Sequence, residues 1–76
     1  MNMRPSPLSP EIWINNIFGS KAAAAGAVIR RKSRDVERFV GREAFRQELD
    51  RRGFHAIENA GQIIIFCNQE AIRRFR

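Results

Sequence analysis

The hydrophobic and polar positions of this chain follow two periods, one helical and one alternating, and the change between them divides it into elements. In residues 9–19, SPEIWINNIFG, Trp13 pairs with Ile17 and Ile14 with Phe18, each four residues apart. Ser9 can cap this helix, Pro10 suits its first position, Glu11 sits at the positive end of the dipole, and Gly19 can close it. With Ile12, these residues span well over half of the circumference, so the helix must dock on the sheet or on another chain. Residues 20–25, SKAAAA, suit a second short helix or a linker. Residues 26–32, GAVIRRK, predict a strand that enters at Gly26, carries Val28 and Ile29, and ends in Arg30, Arg31 and Lys32.

Ser33 can cap the next helical segment, with Asp35 and Glu37 in its first turn, and Gly53 ends it after Arg51 and Arg52. A single helix over 34–52 fails on arithmetic. At 100° per residue, Val36, Phe39, Val40 and Ala44 share one face, while Phe45 and Leu49 lie nearly opposite, among Arg34, Arg38, Arg42 and Arg46. The apolar register breaks near Gly41, which predicts two helices, 34–40 and 42–52.

The stretch GFHAIENAGQIIIFCN, residues 53–68, reads as a β-hairpin: a strand over Phe54–Glu58, a turn over Asn59-Ala60-Gly61, and a strand over Gln62–Cys67. Ile63, Ile65 and Cys67 point one way, and Ile64 and Phe66 the other. Such a strand needs cover on both faces. The 42–52 helix is expected on one; the N-terminal helix, the C-terminal helix or a second subunit is expected on the other. Asn68 is expected to cap a last short helix, QEAIRRFR, with Ala71, Ile72 and Phe75 facing inward. The fold class is therefore α+β: one small domain over residues 9–76, preceded by a flexible arm, MNMRPSPL, over residues 1–8. Seventy-six residues allow no second domain, and a chain this short buries only about 60–65% of its unfolded surface.

Composition adds charge to this picture. Fourteen Lys+Arg against eight Asp+Glu give a net charge of +6 and a pI near 11.3, and only Lys21 and Lys32 are lysines. Guanidinium groups suit bidentate contact with phosphate or carboxylate and stacking on bases, and a pI this high in a small domain is the usual footprint of nucleic-acid binding. Arg30, Arg31, Lys32 and Arg34 cluster at the strand-to-helix junction, with Arg38 one turn on and Arg42 beyond; Arg73, Arg74 and Arg76 form a second cluster. The first cluster is the candidate nucleic-acid-binding set.

Other chemistry is sparse. His55 is the only histidine and Cys67 the only cysteine, so no zinc site, disulfide framework or paired nucleophile and base is encoded, and no catalytic residue, metal or cofactor is assigned. Cys67 reads as a core residue and His55 as an ordinary strand histidine. The carboxylates Asp35, Glu37, Glu43, Glu48 and Asp50 alternate with arginines, as in solvated helix-surface pairs. The glycines are spaced as punctuation, with no phosphate loop. Met1–Pro10 lacks the apolar core of a signal peptide, and Ala22–Ile29 is far short of the roughly 20 residues of a membrane span, so a soluble cytoplasmic protein is expected.

A helix-turn-helix centred on Gly41 would need a small residue at position 37 and apolar residues at 42 and 47, where Glu37, Arg42 and Gln47 stand. The stretch FRQELDRRGFHAIENAGQIIIF, residues 45–66, resembles the small toxins of the HicA family, ribonucleases with a double-stranded-RNA-binding-like fold. The shared pattern is a helix, Gly-Phe, a strand, a glycine turn and a strand ending in Phe. In that family a histidine after the turn does the chemistry; Gln62 and Ile63 stand there, so the resemblance implies the fold without the ribonuclease. Arg30 to Asn68 also resembles a group of short basic bacterial open reading frames of unassigned function.

Two functional classes follow. One is a non-enzymatic accessory protein that binds nucleic acid through its arginines. The other is an interaction module in which Trp13, Ile14, Ile17 and Phe18 anchor an acidic protein partner or a second copy of the chain.

Overall fold

The computed structural model describes residues 9–76; the arm expected over residues 1–8 lies outside them. The order is α1 (Pro10–Phe18), α2 (Lys21–Ala24), β1 (Val28–Lys32), α3 (Ser33–Phe39), α4 (Arg42–Arg52), β2 (His55–Asn59) and β3 (Gln62–Phe66). The three strands form one antiparallel sheet in the order β1-β3-β2, so the isoleucine-rich last strand is central. This is the α+β domain that the hydrophobic pattern predicts.

Local chemistry accounts for most of the ends. Ser9 Oγ accepts the Ile12 N–H at 3.2 Å, and Ser20 Oγ does the same for Ala23 at the start of α2. Ser33 does not cap α3: Lys32 holds the cap position, while Ser33 is the first helical residue and donates its N–H to Gly61 O at the hairpin turn. The break between α3 and α4 falls at Gly41, whose φ of +96° lies outside what side-chain-bearing residues readily adopt. The 42–52 helix then starts in a new direction, and Phe39 and Phe45, which a continuous helix would hold apart, both reach the core.

The core is largely an aromatic cluster. Trp13 stacks on Phe39 at a centroid distance of 5.6 Å and meets Phe45 edge-on at 6.4 Å; Phe18 packs on Phe45 at 6.0 Å and Phe54 at 5.5 Å. The Arg52 guanidinium lies 4.6 Å over the Phe18 ring. Beneath these rings lie Val36, Ile63, Ile65 and Cys67, with Val36 and Ile65 fully buried. Ile12 remains about half exposed, so the buried stripe of α1 is narrower than its sequence pattern.

Two expectations are corrected. All buried side chains of the sheet, Ile29, Ile63 and Ile65, belong to one face; on the other, Ile64 and Phe66 are half-buried, and Val28 and Ile57 are 48% and 49% exposed. The central strand is covered once, because α1, α3 and α4 all converge on the Ile63/Ile65 side. The C-terminal helix is also absent: residues after Phe66 take no regular structure, and Ile72 and Phe75 are exposed. Asn68 Oδ1 accepts the Glu70 N–H two residues on, as a capping residue would, while its Nδ2 donates to Gly26 O, but no helix follows. The eight residues that follow Asn68 are too few to sustain a helix without a surface to dock on.

The hairpin turn is tighter than the sequence suggests. Asn59 pairs with Gln62, leaving a two-residue turn in which Ala60 takes φ +52° and Gly61 +76°. Two positive φ values match a type I′ turn, for which Asn-Gly is the preferred pair. Ala60→Asn should therefore stabilise the domain by several tenths to about 1 kcal/mol, because alanine is strained in this region and asparagine tolerates it. Gly41→Ala should cost about 1–2 kcal/mol even though nothing lies within 4 Å of the added Cβ. Urea melts of the two variants should move in opposite directions.

Candidate nucleic-acid interface

The arginines divide into a paired and an unpaired set. On α4 every arginine meets a carboxylate. Arg42 Nε contacts Glu37 Oε2 at 2.8 Å, and its Nη2 contacts Glu58 Oε2 at 2.6 Å, tying α3, α4 and β2 together. Arg46 approaches Glu43 at 3.5 Å, and Arg51 and Arg52 share Glu48 at 2.7 and 3.3 Å. Among the described residues, Arg30, Arg31, Lys32, Arg34 and Arg38 form no ion pair, and neither do Arg73, Arg74 and Arg76. The excess positive charge is thus held at the β1–α3 junction and in the C-terminal segment.

The six candidate cations do not share one surface. The strand register places Arg30 beside Ile64 and Lys32 beside Gln62, on the sheet face that carries no helix. Arg31 alternates to the other side, partly buried, its Nη1 donating to Arg30 O at 2.6 Å. Arg34 follows Lys32 into α3, and the two border a shallow hollow with Ser33, Glu37, Gln62 and the hairpin-turn residues Ala60 and Gly61. Arg38 lies one turn on, 5.5 Å over the Phe39 ring. Arg42 is withdrawn from the set as a structural clamp. Its neighbour Glu37, with Gln47, is exposed, as expected of two helices that do not pack as a helix-turn-helix.

The predicted partner anchor is likewise corrected. Trp13, Ile14, Ile17 and Phe18 are 8%, 6%, 2% and 7% exposed, so the helix covers its own sheet and has no apolar surface left on that stripe. Nothing in the sequence could separate docking on the sheet from docking on another chain.

The sheet also separates the two reactive side chains. Cys67 is buried on the helix side, and burial pushes its thiol above the ordinary value of 9.0. His55 pairs with Phe66 on the open face. Among the described residues no three of His, Cys, Asp and Glu converge where a metal could sit, and no helix is long and apolar enough to cross a membrane. Sequence reading missed the open face itself, on which Arg30 and Lys32 stand beside Ile57, Ile64 and Phe66. The cue was present: Ile64 and Phe66 alternate with the core residues, and no further amphipathic helix is available to cover them. A search of family models, curated proteins and solved structures finds no match to this chain.

Trp13→Ala should abolish cooperative thermal unfolding or cost about 3–5 kcal/mol, as a core ring does; an unchanged melt would mean that the ring is not needed for the fold. The clamp predicts a pH dependence. The hydrogen bond from Arg42 holds Glu58 below the ordinary carboxylate value of 4.5, and that from Arg51 does the same for Glu48. A lowered folded-state pKa means that the unfolded chain binds more protons in acid. The stabilisation is therefore complete above 4.5 and is lost as pH falls through and below it. Urea midpoints should drop between pH 7 and about pH 3, and Arg42→Gln should shrink that drop.

Proposed function

We propose that this protein is a non-enzymatic accessory protein of the cytoplasm that binds nucleic acid through phosphate contacts made by Arg30, Lys32 and Arg34, with Arg38 at the margin. The observation that supports this reading is the sorting of charge. Four carboxylates are matched to the arginines of α4, while the junction of β1 and α3 presents adjacent cations with no acidic partner among the described residues. A basic surface kept merely for solubility needs no such segregation. Unpaired guanidinium and ammonium groups displace the counterions condensed on the phosphates, the dominant sequence-independent contribution to nucleic-acid affinity. The separation of His55 from Cys67 by the sheet supports a binding role over catalysis.

Fluorescence polarisation with labelled oligonucleotides at several salt concentrations tests this. Micromolar or tighter binding should fall steeply with salt. Arg30→Ala, Lys32→Ala and Arg34→Ala should each weaken it, and each should reduce the salt slope by roughly 0.7–0.9, the share of one phosphate. Arg46→Ala, already matched to Glu43 and fully solvated, should leave it unchanged. Absence of binding at low salt would refute the reading.

A further inference from the structure

Resting on the phosphate-binding reading, we infer that the open face of the sheet takes single-stranded nucleic acid, with bases laid on Phe66, Ile64 and Ile57 and phosphates held by Arg30 and Lys32. The register groups these residues in rows. His55 and Phe66 are cross-strand neighbours; Arg30, Ile64 and Ile57 form the next row; Lys32 leads the third, with Gln62 and Asn59. Adjacent strands lie about 4.8 Å apart, and successive rows on one face about 6.6–6.8 Å, so the apolar floor has room for about two bases.

Three features favour a single strand over other occupants. First, none of the nine strand residues on this face is acidic, whereas the helix side carries the carboxylates. A second copy docked face to face would bring Arg30 and Lys32 of both chains together without a counter-charge. Second, five of the seven aromatic rings are locked in the core cluster, while Phe66 is half-buried on the open face, across from His55 in the strand register. A π-face beside cations is the platform on which unpaired bases stack. Third, a duplex hides its base faces and would set phosphates against Phe66, Ile64 and Ile57, leaving that apolar area without a partner. Past the hairpin turn Lys32 and Arg34 border a hollow that the Glu37 carboxylate, paired with Arg42, also lines, so the basic track ends at these two cations.

The test compares labelled oligothymidylate, oligouridylate and a mixed-sequence duplex of equal length against the full chain, with amide chemical shifts recorded for the oligothymidylate complex. A single strand should bind more tightly than the duplex, and Phe66→Leu, which keeps apolar volume but removes the ring, should weaken it at least about fivefold. His55→Ser should weaken it as well, and both variants are to be checked for a native melt. Shifts should concentrate on residues 28–32, 55–57 and 64–66 and spare α4. Equal or tighter duplex binding, or unchanged affinity in both variants, would overturn the single-strand assignment and leave the phosphate-binding reading in place. Binding to no nucleic acid would overturn both. Concentration-dependent dimerisation blocked by Ile64→Lys, without nucleic-acid binding, would assign the face to a second copy.

Discussion

The change of direction at Gly41 governs the packing of the whole domain. Phe39 ends one helix and Phe45 lies in the first turns of the next; a straight helix would set them about 120° apart, on different faces. The positive φ at Gly41 re-aims the chain, and one ring, Trp13, then touches both. Through that contact α1 is pinned across α3 and α4, and Phe18, next along α1, reaches Phe45 and Phe54 at the entry to β2. The aromatic cluster is a single connected object that joins three helices and the residue leading into β2. Fixed mutual geometry among rings contributes beyond buried area, which matters in a domain too small to gain much stability from core size alone.

The same concentration of apolar groups explains the bare side of the sheet. The described chain supplies two amphipathic helices of nine and eleven residues and two shorter ones, and the packing at Gly41 commits the buried residues of α1, α3 and α4 to the Ile63/Ile65 face. None remains for Ile64 and Phe66. Charge follows the same division. Carboxylates on α3, α4 and β2 meet the arginines of α4 and hold the elements of the helix layer to one another, so the arginines of α4 are largely neutralised. Among the described residues, the unmatched cations then lie on β1, at both ends of α3 and in the C-terminal segment, with Lys21 alone on α2.

Much of the fold could be read from particular residues. The 100° arithmetic around Phe45 and Leu49 located the break at Gly41, Ser9 and Pro10 marked the start of α1, and the alternation in Gln62–Cys67 gave the two sides of the central strand. Each is a local signal, decided within one or two turns of chain. What could not be read depends on distant partners. Trp13 and Ile17 announce a buried stripe, but the stripe is the same whether it meets Phe39 or another molecule. Arg42 looks like its neighbours until α3 and β2 bring Glu37 and Glu58 to it. Asn68 has the chemistry of a helix cap and its Oδ1 does accept the Glu70 N–H, but its Nδ2 is held by Gly26 O across a separation of 42 residues and no helix follows. The positive φ at Ala60 follows from a two-residue turn imposed by the Asn59–Gln62 pairing, not from the preference of alanine.

The open face is best understood as a compromise between stability and use. Covering it with a further helix would bury Ile64, Phe66, Ile57 and Val28 and add the hydrophobic stabilisation that a small domain lacks. It would also have to bury or displace Arg30 and Lys32, which share this face with those residues and have no acidic partner to neutralise them there. Desolvating two unpaired cations costs more than the added apolar contact returns. A face so composed cannot be closed by an ordinary core element. It can be closed by something that brings negative charge and flat apolar surface together, and any such occupant stabilises the fold in proportion to its affinity, because it binds only the folded chain. The mixture that keeps the sheet open is therefore also what defines the chemistry of its partner.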